Sequence, residues 1–143
     1  MQMRTTSAIA DYTNGTPTAN SNQTTDWTYN GDSEILTMTA VMPTGQNNQE
    51  TKYIYGTGTT PGTDLFCNNL VATTEFPDPT TGLPSTSAGN QITNNYDWQG
   101  DVFYVLYQSG DSHYFAHDAE GRLSADSVLS LGSAKGFIRL MRR

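Results

Sequence analysis

A seven-residue phrase that recurs limits the folds open to this chain more than any other feature. Tyr96-Asp97-Trp98-Gln99-Gly100-Asp101-Val102 and His117-Asp118-Ala119-Glu120-Gly121-Arg122-Leu123 both read aromatic-Asp-x-x-Gly-x-aliphatic, and they start 21 positions apart. Similar steps back from Tyr96 land on Phe76 (FPDPTTG) and Tyr55 (YIYGTG), and a longer one, spanning a loop insertion, on Tyr29 (YNGDSEIL). Such spacing implies one repeated supersecondary unit. The aromatic ends a strand, and Asp caps a tight turn by accepting bonds from nearby backbone N–H groups. Gly then takes a left-handed conformation that returns the chain as a second strand. Gly100 and Gly121 are therefore expected at positive φ. A hairpin of this kind is marginal alone, so neighbouring units must stack edge to edge.

The rest of the sequence agrees with a sheet. Short β-type runs at 34–42, 51–56, 70–76, 101–108, 113–117 and 122–129 alternate with Gly/Pro/Asn/Ser clusters, and none has convincing helical periodicity. Only 35% of the 143 residues are hydrophobic and 15% charged, the latter well below the roughly 25% usual in globular chains. The polar remainder is largely Thr, Asn, Ser and Gly, and β-branched Thr with eight Tyr suits a pleated surface. The expected fold is all-β: antiparallel hairpin repeats in a partly open meander sheet. Residues 1–26 read as a flexible lead-in, 27–132 as the repeat domain, and 133–143 as a basic tail or truncated next strand.

Charge excludes a nucleic-acid surface. The net charge is -7, and no Lys or Arg lies between Lys52 and Arg122, where Asp64, Glu75, Asp78, Asp97, Asp101, Asp111, Asp118 and Glu120 fall. Basic residues gather late, at Lys135, Arg139, Arg142 and Arg143, and read as a solvated terminus. Cys67, the single cysteine, permits neither an intrachain disulfide nor a Cys-based metal cage. The start, MQMRTTSAIAD, lacks the apolar core of a signal peptide, and the longest apolar run, 102–107 (VFYVLY), is too short for a membrane span.

The phrase HYFAHDAEGRLSAD resembles the YD-repeat signature of RHS proteins, in which an aromatic-rich strand runs into Tyr-Asp-x-x-Gly-Arg-Leu. Phe115, Ala116, His117, Asp118, Gly121, Arg122 and Leu123 match it in order, with His117 in place of Tyr; Tyr96, Asp97 and Gly100 match a second copy. Residues 29–86 are similar to the divergent RHS regions of large bacterial, planctomycete-type surface proteins. The resemblance implies a spiralling β wall, an extracellular or cell-surface location, and either encapsulation of an effector or service as a stalk or adhesin. It departs from the family in lacking the Asp-Pro-x-Gly cleavage motif near the C terminus, in having no effector after Arg143, and in its small number of units.

Chemistry is sparse. His113 and His117, four apart, share one face of a strand, with Asp111 and Asp118 near them, which is half of a metal site. The preferred reading makes His117 the repeat aromatic and Asp118 the turn cap, so no metal or other cofactor is expected. Asp78, Asp97 and Asp118 sit where a turn wants Asp, and no nucleophile elbow or phosphate loop is present. The expectation is a non-catalytic structural segment whose partners are neighbouring repeats or its own copies, joined through sheet edges and the apolar run 102–107. The alternative is a carbohydrate-binding module that stacks sugars on Trp98, Trp27 and Tyr104; a metal-dependent or glycosidic enzyme is the least favoured class.

Overall fold

The computed structural model describes residues 3–9, 12–13, 16–17, 23–57, 65–130 and 139–140. Its strands are β1 (Met3–Ile9), β2 (Tyr12–Thr13), β3 (Thr16–Pro17), β4 (Gln23–Tyr29), β5 (Ile35–Val41) and β6 (Gln49–Tyr55). They continue as β7 (Val71–Glu75), β8 (Gln91–Tyr96), β9 (Val102–Leu106), β10 (Ser112–His117), β11 (Leu123–Ser130) and β12 (Arg139–Leu140). Apart from the β2–β3 ribbon, they hydrogen-bond in chain order as an open antiparallel meander. The all-β reading is correct. No helix among the described residues is long and apolar enough to cross a membrane.

The chain forms two compact units, Met1–Tyr53 with Glu75–Ser85, and Ile54–Thr74 with Thr86–Arg143. In the first, β1 pairs with β4 from Met3↔Tyr29 to Ile9↔Gln23, β4 with β5, and β5 with β6. Residues 1–26, read as a lead-in, thus contain β1, whose ladder uses backbone groups and needs no apolar pattern in the sequence. Thr28 and Thr37, directly opposite each other, share a hydroxyl hydrogen bond of 2.7 Å, the kind of cross-strand pair that stabilises a Thr-rich sheet. The Lys52 ammonium lies 3.5 Å from the buried Glu75 carboxylate. Residues 76–85 double back: Pro77 bridges Pro84, Ser85 N–H donates to Phe76 O, and Glu50 N–H donates to Gly82 O at 2.9 Å.

Among the described residues of the second unit, the buried apolar ones are Ala72, Tyr96 and Val105. The Tyr96 hydroxyl donates to Val71 O at 2.8 Å, and Asn94 Nδ2 reaches the same carbonyl; burial pushes the Tyr96 phenol above its ordinary pKa. Thr57 is fully buried: its hydroxyl donates to Leu65 O and accepts from Cys67 N–H at 3.0 Å.

The expected strands correspond to β5, β6, β7, β9, β10 and β11 within a residue or two at most ends. β8 was not anticipated, because its sequence QITNNY is polar and rich in Asn, a poor strand former. Pairing with β9 and the bonds to Val71 hold it. The run 102–107 supplies β9, which pairs with β8 on one side and β10 on the other. It is an interior strand, so the edge expected there is absent. The 133–143 stretch contains β12, paired to β11 through Asp126↔Leu140 and Ser127↔Arg139. The turn expected at 58–62 and the basic residues Lys135, Arg142 and Arg143 lie outside the described residues.

Candidate functional site

The phrases at Tyr96 and His117 fold the same way. Asp97 N–H donates to Asp101 O, and Gly100 N–H to Asp97 O; Asp118 N–H donates to Arg122 O, and Gly121 N–H to Asp118 O. Gly100 and Gly121 stand at φ 92° and 75°, as the turn requires. Each Asp Oδ1 accepts two backbone bonds near 3.0 Å, from Gln99 and Asp101 in one turn and from Glu120 and Arg122 in the other. These are type I turns closed by a left-handed residue. A third copy begins at Asn30, with Ser33 (φ 66°) in the glycine place, and a fourth at Tyr107, with Gly110 at φ 82°. The Asp78 turn is one residue longer, closing on Leu83 O. Tyr55 opens no turn of this kind; Gly56 beside it donates instead to Leu70 O.

The likeness extends into the strands. Tyr29 faces Ile35, Tyr96 faces Val102 and His117 faces Leu123, and in all three ladders the next residue on the returning strand is skipped: Leu36, Phe103 and Ser124. A β-bulge at the same step bends each returning strand alike. His117 thus occupies the position of Tyr96 and Tyr29, as the sequence implied.

The turns differ in the side chain that follows the left-handed residue. In the first unit Asn30 Nδ2 donates to Glu34 Oε2 at 2.6 Å. At the last turn Arg122 Nε donates to Asp118 Oδ2 at 2.8 Å, and its Nη2 to Glu120. In both, cap and follower are complementary. Between Asp97 and Asp101 they are two carboxylates. Ligand atoms of Asp97, Asp101 and His117 lie within 4.8 Å of one another. His117 Nδ1 is buried and has no hydrogen-bond partner among the described residues. A cavity of about 230 Å³ adjoins them, lined by Asp97, Phe103, Tyr114, Phe115, Ala116 and His117. Phe103 and Tyr114 meet there edge to face, with centroids 5.9 Å apart.

The metal set weighed from sequence does not gather. His113 Nδ1 pairs with Asp126 Oδ1 at 3.0 Å, Asp111 accepts from Ser109, and Asp118 is engaged by Arg122. Asp101 was missed as a candidate; the available signal was an acidic residue at the step where Arg122 stands in the neighbouring copy. Of the sugar-stacking candidates, Trp98 projects from its turn at 73% exposure. Tyr104 is half-buried on β9, and Trp27 is half-buried on β4 in the other unit. Neither Trp98 nor Tyr104 lines the cavity.

Backbone donors hold two cap carboxyls below the ordinary carboxylate pKa: Asp118 mainly through Arg122 N–H, and Asp78 through the N–H groups of Thr81 and then Thr80. A carboxyl depressed on folding contributes stability above its unfolded pKa and loses that contribution as pH falls through the folded value. Asp78→Asn keeps an oxygen for the same bonds but cannot titrate. Denaturation midpoints measured from neutral pH to below 3.8, the ordinary Asp value, should therefore fall less steeply in the variant than in the wild type. Equal slopes would show that these bonds do not persist in solution.

No family model matches the chain, and no curated protein or solved structure matches it either.

Proposed function

We propose that this chain is a non-catalytic structural segment of a secreted or cell-surface protein, built from degenerate YD-type hairpin repeats in the manner of RHS proteins. One observation carries the reading: the turns at Asn30, Asp97 and Asp118 repeat the same backbone bonds, the same left-handed residue and the same following bulge. A chain that spends its polar residues on turn caps, with the unit recurring along an open meander, suits a wall that lengthens by adding hairpins. The carbohydrate-binding alternative rests on Trp98, the exposed member of its three aromatics.

Duplication tests the reading. A second copy of residues 97–117 inserted after His117 adds two strands and returns the chain to the Asp118 turn in register. A repeat wall accommodates it, giving soluble protein with a cooperative transition and an unfolding midpoint no lower than wild type. A domain whose strands depend on one fixed closure would aggregate or lose the transition, and that result would reject the proposal.

A further inference from the structure

We propose that Asp97, Asp101 and His117 form a binding site for one divalent transition ion, with Zn²⁺ as its reference occupant. This inference is independent of whether the sheet belongs to a longer wall. Three observations meet at the site. The donor set, two carboxylates and an imidazole within 4.8 Å of one another, is a protein ligand set for such ions. His117 Nδ1 is buried without a partner among the described residues, although a buried polar atom ordinarily finds one. Two other copies of the turn in this chain join cap and follower by Asn30–Glu34 and Asp118–Arg122 bonds, whereas Asp97 and Asp101 place two carboxylates at those positions. A cation would supply the complementary charge between these two carboxylates.

The geometry is within reach. Tetrahedral ligands about 2.1 Å from zinc stand roughly 3.4 Å apart, so the three groups must close in slightly. Asp97 stays fixed through Oδ1, which accepts from Gln99 and Asp101 N–H, and this leaves Oδ2 for the metal. The Asp101 carboxylate lies against the next turn, its Oδ2 3.2 Å from where a Cβ on Gly121 would stand. Gln99 Nε2 also reaches Ala119 O at 3.4 Å. The two turns are thus already apposed, and the ion would tie the β8–β9 hairpin to the β10–β11 hairpin. Three protein ligands leave a coordination position for water or a donor from a bound molecule, and the cavity beside Asp97 and His117 gives it access. Calcium, which takes six to eight oxygens, is a poor fit.

The test is equilibrium dialysis of the metal-stripped full chain against Zn²⁺ at tens of micromolar protein, with elemental analysis and thermal unfolding as readouts. One zinc per chain, a raised unfolding midpoint and no displacement by excess Ca²⁺ are expected. Asp101→Asn and His117→Tyr should each weaken binding about tenfold or more. His117→Tyr restores the aromatic of the other copies and should fold, which far-UV circular dichroism confirms separately. His113→Asn should leave affinity unchanged. Absence of binding would overturn the site. Undiminished binding in folded Asp101→Asn and His117→Tyr, or loss in His113→Asn, would overturn it equally.

Discussion

Gly82→Ala is expected to cost about 3–5 kcal/mol, at the upper end of what one methyl group does. Two effects combine. Gly82 stands at φ +75°, where an L residue carries a penalty of about 1–2 kcal/mol. Its new Cβ would also overlap the carbonyl oxygen of Asn48 and lie 3.1 Å from Asn48 C. Both are backbone atoms, so no side-chain rotation relieves the overlap. The segment cannot withdraw freely either, because Glu50 N–H donates to Gly82 O at 2.9 Å and Asn47 Nδ2 to Thr80 O at 2.9 Å. Moving Gly82 away sacrifices these bonds, each worth about 1 kcal/mol. Gly45→Ala separates the two effects: Gly45 stands at φ +93° with nothing within 4 Å of the added Cβ, so about 1–2 kcal/mol is expected. Denaturant titrations followed by tryptophan fluorescence in a Trp98→Phe background, where Trp27 alone reports on the same unit, give both values. Equal losses would mean that residues 76–85 do not rest on the start of β6.

How far the sequence could be read depended on the range of each interaction. The turns at Asp97 and Asp118 were legible because everything that makes them lies within five residues: an acceptor side chain, two backbone donors, and a glycine free to take positive φ. The Asn30 turn was harder, since Ser33 has no intrinsic bent for the left-handed region. The bonds from Asp32 and Glu34 N–H to Asn30 Oδ1, with Ser33 N–H to Asn30 O and Asn30 N–H to Glu34 O, hold it there. Tyr55 shows the opposite failure: an aromatic-Gly pair at a suitable interval, but no cap acceptor behind it, and Gly56 donates to Leu70 O instead of closing a turn of this kind.

Register and convergence were not legible at all. The bulges at Leu36, Phe103 and Ser124 exist only relative to a partner strand, and nothing in a single strand's alternation announces a skipped residue. The Asp97, Asp101 and His117 grouping joins two turns, and its distances follow from how adjacent hairpins stack. Strand alternation puts His113 beside His117, a metal pairing that the sequence reading does not prefer, and the structure gives His113 to Asp126 across the β10–β11 ladder.

Val105→Lys should destabilise the protein by about 3 kcal/mol, while Leu106→Lys, one residue on, should cost less than about 1 kcal/mol. Val105 is 7% exposed and faces Asn94 on β8 and His113 on β10; Leu106 is 36% exposed and faces Thr93 and Ser112. Successive residues of a strand point to opposite faces, so the two lysines meet different surroundings. At 105 the substitution forfeits about 1.5–3 kcal/mol of apolar burial and brings an ammonium towards a buried position, at a further cost of the same order after the long side chain has bent towards water. At 106 the charge reaches solvent directly. The pair also tests the interior placement of β9. An edge strand with both faces wet would tolerate either lysine, and wild type would then associate through 102–107 in a way both variants suppress. With β9 held between β8 and β10, light scattering should give the same mass for wild type and Leu106→Lys, and urea titration should shift the midpoint strongly for Val105→Lys alone. Two small and similar shifts would place β9 at an edge after all.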